Sequence, residues 1–430
     1  MKRGAAPALL LSLLLALLLA PAIAWGHGAP PAAQSVFYVD EEWVFVTNFG
    51  VMTPAFADEY VCEEAFFGSD RFRVLPLTQD AWVTFTRSRV ALSQDGCDFQ
   101  VVHDLPGAPT DVAMDPAAQE VIFTVQNEGD AELWRSQDGG ASWTLVPVDT
   151  GGVRPAGLGL PWPGTAALIA YEIEEARRGE ALLWIVDLST GAVEEIPLEE
   201  GLLYPNLLDA RDGQVLWHGR RGEVHEIFWM TTAGEAIGRY ESPRWPTAGA
   251  IGPDAIYLGG VDEENRGVFR ASSQTPDQLE EIIAGHRALC MAAAEGEVIV
   301  CGHRNHDDHD LLRWSAGQVD EAGPAEVLVD FRELQGIRSD CPAGTLVAEV
   351  CPAVWPETAR ALGITIAGDE ENGSNGELDV PEERESRAEE GCAGCAATGG
   401  GPPGSMALLG LVIASLMLRR GRREEAPWPT

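Results

Sequence analysis

Between residues 36 and 331 the chain shows almost no helical periodicity. Short apolar or alternating runs recur instead: VFYV, WVFVTN, WVTFT, VIFTV, ALIAY, LLWIV, IFWM, AIYLGG and EVIVC, separated by turn-forming residues. Successive side chains of a strand point to opposite faces, so this patterning predicts many short antiparallel strands joined by tight turns.

The runs also repeat. "LWRSQDGGASWTLVPV" (133–148) reads as a strand, a Ser-x-Asp-Gly-Gly turn and a second strand opening on Trp143. "VALSQDGCDFQVV" (90–102) is the same hairpin one residue shorter, with Phe99 in the tryptophan's place, and weaker copies follow in "LWIVDLSTGAVEEIPL", "IFWMTTAGEAIGRY" and "LLRWSAGQVDEA". The turn residues Gly96, Gly139, Gly191, Gly234 and Gly317 mark units of roughly 40–50 residues, the last interval spanning two units with its turn near Ser273. One unit before Gly96 stands an eroded copy, "GVMTPAFADEY". A period near 40 residues with four strands per unit predicts an all-β protein, a seven-bladed β-propeller of four-stranded antiparallel blades. The expected blades are 36–67, 71–105, 109–149, 155–199, 203–243, 247–284 and 286–331, within a propeller domain of 30–335.

Residues 336–366 hold Cys341, Cys351, Trp355 and a broken helical pattern, which predicts a small Cys-stapled C-terminal cap. Residues 367–390 are strongly acidic with almost no apolar content, the composition of a disordered, self-repelling linker.

The N-terminus places this domain. Lys2 and Arg3 precede a leucine-rich stretch from Ala8 to Ala20, and Ala22-Ile23-Ala24 has the small-x-small form of a cleavage site. Residues 1–24 read as a secretory signal peptide, so the expectation is export. In that context the even number of cysteines, 8, reads as disulfides. Cys62, Cys97, Cys290, Cys301, Cys341 and Cys351 are expected to be oxidised. Proximity along the chain favours Cys290–Cys301 and Cys341–Cys351, leaving Cys62–Cys97. A formal net charge of -38 excludes nucleic acid and anionic lipid as partners and fits a soluble monomer.

In the best-formed turn, the Ser136 hydroxyl and Asp138 carboxylate are placed to hold turn amides. Gly139 and Gly140 tolerate positive φ, and Trp143 plugs the sheet edge. Ser93, Asp95, Gly96 and Phe99 are the same set one blade earlier. "SQDGGASW" (136–143) resembles the Asp-box, or BNR repeat, of sialidases, sortilin-type receptors and related propellers. The resemblance implies a structural turn on the blade periphery, away from any active site. Sialidases also carry a Phe/Tyr-Arg-Ile-Pro motif. "FRVLP" (72–76) keeps Phe72 and Arg73 but breaks that pattern at Leu75. Tyr171 and Tyr240 are the tyrosines near a glutamate, as a nucleophile of that family would be. Arg73 reads as a strand residue in an ion pair.

"CGHRNHDDHDLLRW" (301–314) offers His303, His306, His309 and Asp307 as divalent-metal ligands. By the repeat it is the loop between the second and third strands of the last blade. The equivalent loops "QNEGDAE", "EIEEARRGEA", "GRRGEVH" and "GVDEENRG" are all charged, and together they form one propeller face opposite the Ser/Asp turns. No phosphate-binding glycine loop, Gly-x-Ser-x-Gly elbow or His-Glu-x-x-His occurs.

Near the end, Cys392-Ala-Gly-Cys395 precedes a small-residue spacer, the apolar run Met406–Leu418 and a group of arginines. The run is shorter than the ~20 residues of a membrane-spanning helix. Residues 391–425 together resemble the MYXO-CTERM sorting tag of exported myxobacterial proteins. That resemblance implies anchoring at the outer membrane, with processing or lipid attachment at Cys392 or Cys395. The expected function is therefore non-catalytic binding or adhesion at the cell surface, toward a glycan or protein ligand and without a cofactor. The alternatives are a sialidase-like surface glycoside hydrolase and a metal-dependent binding module using the His-rich loop.

Overall fold

The alternating runs build seven antiparallel sheets, each made from four strands consecutive in the chain. The computed structural model describes residues 32–53, 59–66, 73–127, 130–150, 153–174, 177–262, 264, 266–302, 310–315 and 325–366. These belong to one compact unit, Met1–Gly376; a second unit, Glu377–Thr430, lies outside the described residues. The sheets span 33–62, 73–104, 109–145, 153–197, 203–242, 248–283 and 290–329. They are blades 1 to 7 of a β-propeller, whose first strands neighbour one another from blade to blade.

Burial explains why strict alternation is seen only in part. A middle strand is covered on both faces by neighbouring blades, so Trp82–Phe85 and Ala255–Gly259 are buried throughout. An outer strand such as Val193–Pro197 is covered much less. Each fully buried Val, Ile, Leu or Phe contributes about 1.5–3 kcal/mol, and these side chains come from two blades at a time. Phe123 of blade 3 and Phe85 of blade 2, for example, meet edge to face at 5.5 Å.

Polar staples link the inner strands as well. Asp111 of blade 3 pairs with Arg73 of blade 2 and accepts the Leu158 amide of blade 4 at 2.9 Å. Asp209 of blade 5 accepts the Ile251 amide of blade 6 at 2.7 Å. In both cases a carboxylate satisfies an inner-strand N–H that its own sheet leaves unpaired. Blade 7 meets blade 1 through Tyr38 Oη donating to Glu295 at 2.8 Å and Trp43 Nε1 donating to Glu297 at 3.2 Å.

The C-terminal segment departs from expectation. Cys341 and Cys351 are not joined to each other, nor Cys62 to Cys97. The bonds are Cys62–Cys351 and Cys97–Cys341, while Cys290–Cys301 closes a cross-strand pair as expected. After blade 7 the chain crosses to blade 1, where Gly336–Ile337 adds a fifth, parallel strand beside Glu59–Cys62. Arg338 then reaches into blade 2, donating to the Asp95 carbonyl at 2.9 Å and to Asp80 at 3.0 Å. The helix Leu346–Leu362 follows, burying Val347, Cys351, Ala359 and Leu362 as one stripe. Its prolines, Pro352 and Pro356, lie inside it without ending it, and Gly363 closes it at φ 75°. The expected cap is thus a clasp stapled to blades 1 and 2 rather than to itself. Nearness along the chain was a poor guide because ring closure brings residues 341–351 back to the start. Among the described residues no helix is long and apolar enough to cross a membrane.

Candidate functional site

Antiparallel order divides the connections between two faces. One carries the turns joining strands one to two and three to four. The other, the loop face, carries the two-to-three loops and the links from each blade to the next.

The Ser/Asp turns lie on the first of these. Ser136 Oγ donates to Asp138 at 2.8 Å and accepts the Gly140 amide at 2.7 Å. Asp138 also accepts the Ser142 amide at 2.8 Å. Burial raises the Asp138 pKa, but the hydrogen bonds from Ser142 and Ser136 outweigh it and hold the carboxyl below its usual range. Gly139 and Gly140 have φ of 65° and 87°, and a Cβ on Gly140 would stand 2.7 Å from Val83 of blade 2. Trp143 wedges between Phe85 and Phe123, with centroids at 5.8 and 4.9 Å.

The earlier copy behaves alike. Asp95 accepts from Ser93 Oγ at 3.3 Å and from the Cys97 and Asp98 amides at 2.9 and 3.2 Å. Gly96 sits at φ 66° against Arg338, and Phe99 packs on Phe66 at 4.8 Å. Both sets pack between blades, and their serine and aspartate oxygens are engaged within the turns.

The other sequence candidates disperse. Arg73 opens the inner strand of blade 2 and is held by Asp111. The Tyr240 hydroxyl donates to the Pro276 carbonyl, and burial pushes its pKa up to about 12, which is unsuited to a nucleophile. Tyr171 lies within a middle strand of blade 4, Thr165–Glu174, opposite Ala181. His303, His306, His309, Asp307, Cys392 and Cys395 lie outside the described residues, as does Phe72. Among the described residues the one cluster of three metal-type ligands is Cys97, Asp340 and Cys341. Its sulfurs are in disulfides and Asp340 pairs with Arg338.

A different cluster stands on the loop face, between blades 5 and 6. His218 lies on the second strand of blade 5, Gln214–Arg221, and His225 on the third, Val224–Thr231. His225 pairs across the ladder with Arg220, two residues from His218, so both imidazoles and the guanidinium project from one side of the sheet. Leu216 and Ile227 share that side and pack on Ile256, Leu258 and Val261 of blade 6.

Trp245, in the link from blade 5 to blade 6, meets both rings edge-on, at 4.5 Å from His218 and 5.1 Å from His225. The link is fixed by Ser242 Oγ, which donates to the Arg244 carbonyl at 2.7 Å or the Val261 carbonyl at 2.9 Å. His218 is fully buried, yet among the described residues neither of its ring nitrogens has a hydrogen-bond partner, and His225 Nδ1 has none either. Burial, with His225 adding to it, pushes the His218 pKa down to about 3. Burial, then Arg220, lowers that of His225.

The inner strand of the same blade is irregular beside them. Its pairing shifts between Leu203 and Asn206, and Tyr204 holds φ 55°, a conformation costly for a bulky side chain. The sequence signal was the pair of histidines flanking "GRRGEV", legible only once the hairpin register is known.

No protein-family model matches this chain, and no curated protein matches it. Solved structures do. A GH74 xyloglucanase from Xanthomonas campestris is 15% identical, covering 67% of this chain and 55% of its own, with a TM-score of 0.48. A GH74 enzyme from Niastella koreensis is 12% identical over 69% and 54%, with a TM-score of 0.46. TolB from Acinetobacter baumannii is 11% identical over 67% and 78%, with a TM-score of 0.38. The chain thus spans about half the length of the two GH74 proteins, and these similarities are findings about shape alone.

Proposed function

We propose that this protein is an exported, surface-anchored binding propeller that engages its ligand through the loop face. The observation that carries this reading is the cluster of His218, His225, Arg220 and Trp245 between blades 5 and 6. Unpaired buried imidazole nitrogens cost ~1–3 kcal/mol each, and a left-handed tyrosine on the inner strand of the same blade adds strain. Unpartnered buried polar atoms occur elsewhere among the described residues, as at Trp184 and Trp217, but here they gather on neighbouring basic side chains of the loop face, and such departures are expected at functional sites.

The Asp-box reading of residues 93–99 and 136–143 assigns those turns a structural role, which their closed hydrogen bonds and packing between blades support. Export and anchoring rest on residues 1–24 and 391–425, with Cys392 or Cys395 as the processed residue. A non-catalytic role is favoured over a sialidase-like one because Arg73 and Tyr240 are engaged by Asp111 and the Pro276 carbonyl.

A glycan and protein array, run beside a fluorogenic sialoside assay on the purified protein, tests the reading. Saturable capture without turnover, weakened by substitutions at Arg220 or Trp245, is expected. Sialoside turnover at enzymatic rates would overturn it. For the tail, C-terminal peptide mass spectrometry is expected to find an end near Cys392 or Cys395; an intact "RREEAPWPT" end would rule out processing.

A further inference from the structure

We infer that the cluster between blades 5 and 6 is a binding site for a small oxyanion group, carboxylate or sulfate, held by His218, His225 and Arg220 beneath Trp245. The three cationic or potentially cationic side chains share one side of blade 5; Arg220 Nε donates to the Gly222 carbonyl at 2.7 Å, so its terminal nitrogens are the ones offered to a ligand. Among the described residues neither nitrogen of the wholly buried His218, nor Nδ1 of His225, has a partner.

The neighbours of the pair decide the sign of the ligand. Asn206 faces His218 from the inner strand, Ser242 stands opposite His225 on the fourth, and Arg244 and Trp245 belong to the link above. On the adjoining loop of blade 6, Asp262 is turned to the Arg266 amide. The charge acting on His218 is that of His225 and the charge acting on His225 is that of Arg220; neither is a carboxylate. A buried imidazole used as a metal ligand gives its second nitrogen to a carboxylate or carbonyl. His218 lacks one, and Arg220 would repel a cation. An oxyanion satisfies what is missing: it accepts from both imidazolium groups and the guanidinium, and Trp245 offers a flat apolar wall to whatever carries it.

Binding must then be linked to protons. The empty rings are neutral at pH 7, and an anion is held by charged ones. Complex formation takes up at least a fraction of a proton, and affinity rises as pH falls.

The inference rests on the loop-face reading and is separable from it. Calorimetry of the full-length protein at constant ionic strength, with chloride replaced by sulfate, is run at pH 7.5 and 5.5 in two buffers of different ionisation enthalpy. Sulfate stays a dianion throughout, so any proton taken up belongs to the protein. One saturable site with proton uptake and at least tenfold tighter binding at pH 5.5 is expected. It should be lost in His218→Phe, which keeps the ring's shape without its nitrogens, and in Arg220→Gln/His225→Gln, which leaves the core intact should His218→Phe fold poorly.

A second arm uses a sulfated oligosaccharide. Tighter binding than sulfate with the same sensitivity to substitution assigns the anion to a sugar against Trp245, and equal affinity assigns a free ion. Absence of saturable heat from both probes, affinity independent of pH, or heat unchanged in the variants would overturn the site. A ligand captured by the face but indifferent to His218→Phe would overturn it while leaving the loop-face reading standing.

Discussion

The clasped side of the ring and the histidine cluster between blades 5 and 6 solve the problem of joining blades in opposite ways. Blades 1 and 2 are tied to residues 336–362 by two disulfides, a parallel strand and the buried Arg338, which serves three acceptors in two directions. Blades 5 and 6 meet through apolar packing below and incompletely satisfied imidazoles above. Each side buries ionisable groups against their charged forms. Burial, with Glu64 adding to it, pushes Glu63 up to about 8 beside the clasp, and His218 is pushed down to about 3 in the histidine cluster. One side is built for permanence, and the other leaves polar atoms for a ligand to complete.

The largest expected effect would remove the permanence. Replacing Cys62 and Cys351, or Cys97 and Cys341, with alanine should lower stability by roughly 2–5 kcal/mol in denaturant unfolding, because these bonds close very long loops. The Cys290–Cys301 bond, with a sequence separation of 11, should matter less. A non-reduced digest should recover Cys62 with Cys351; a Cys341–Cys351 peptide would refute the clasp.

Next comes pH, which should separate the two sides. The unfolded chain protonates a histidine near 6.5, whereas folded His218 resists until about 3. Its contribution is complete above pH 6.5 and is lost as pH falls, with a slope of up to about 1.4 kcal/mol per unit. Glu63 runs the other way: it favours the fold fully below 4.5, and that contribution is lost as pH rises toward 8. Hydrogen exchange corrected for intrinsic rates should show blades 5 and 6 loosening as pH falls from about 6.5 toward 3, and the clasp loosening as pH rises from about 4.5 toward 8. Loosening of both sides together would show that they are one cooperative unit.

Asp138→Ala should cost about 1–3 kcal/mol through lost turn hydrogen bonds, and leave loop-face binding unchanged. A variant as stable as wild type but deficient in binding would remove the structural role given to that turn. The smallest effect is expected at Asp187, whose exposed carboxylate accepts from Ser189 and Thr190 in blade 4. Asp187→Ala should leave the melting temperature within error, since solvent replaces those bonds.

The number of blades and the strands in each were legible because turn chemistry at Gly96, Gly139, Gly191 and Gly234 recurs with the period of the sheet. The Ser136–Trp143 turn was legible for the same reason, as its hydrogen bonds are local. The clasp was not, since its bonds join residues 244 and 289 apart. Nor was the histidine cluster. His218 and His225 become neighbours only through a hairpin register, and Trp245 joins them only when blade 6 packs on blade 5. Local chemistry reads from the chain, whereas chemistry made by closure of the ring does not.

The separation of 289 residues between Cys62 and Cys351 also fixes an order of events. During synthesis blades 3 to 6 can each find a neighbour soon after emerging from the ribosome. Blade 1, although made first, lacks its outer strand, its covalent partner Cys351 and the wall offered by blade 7 until the last structured helix has been produced. Contacts so distant in sequence form late. The oldest part of the nascent chain is therefore the last to mature, and its exposed edge is the surface that a chaperone must guard longest.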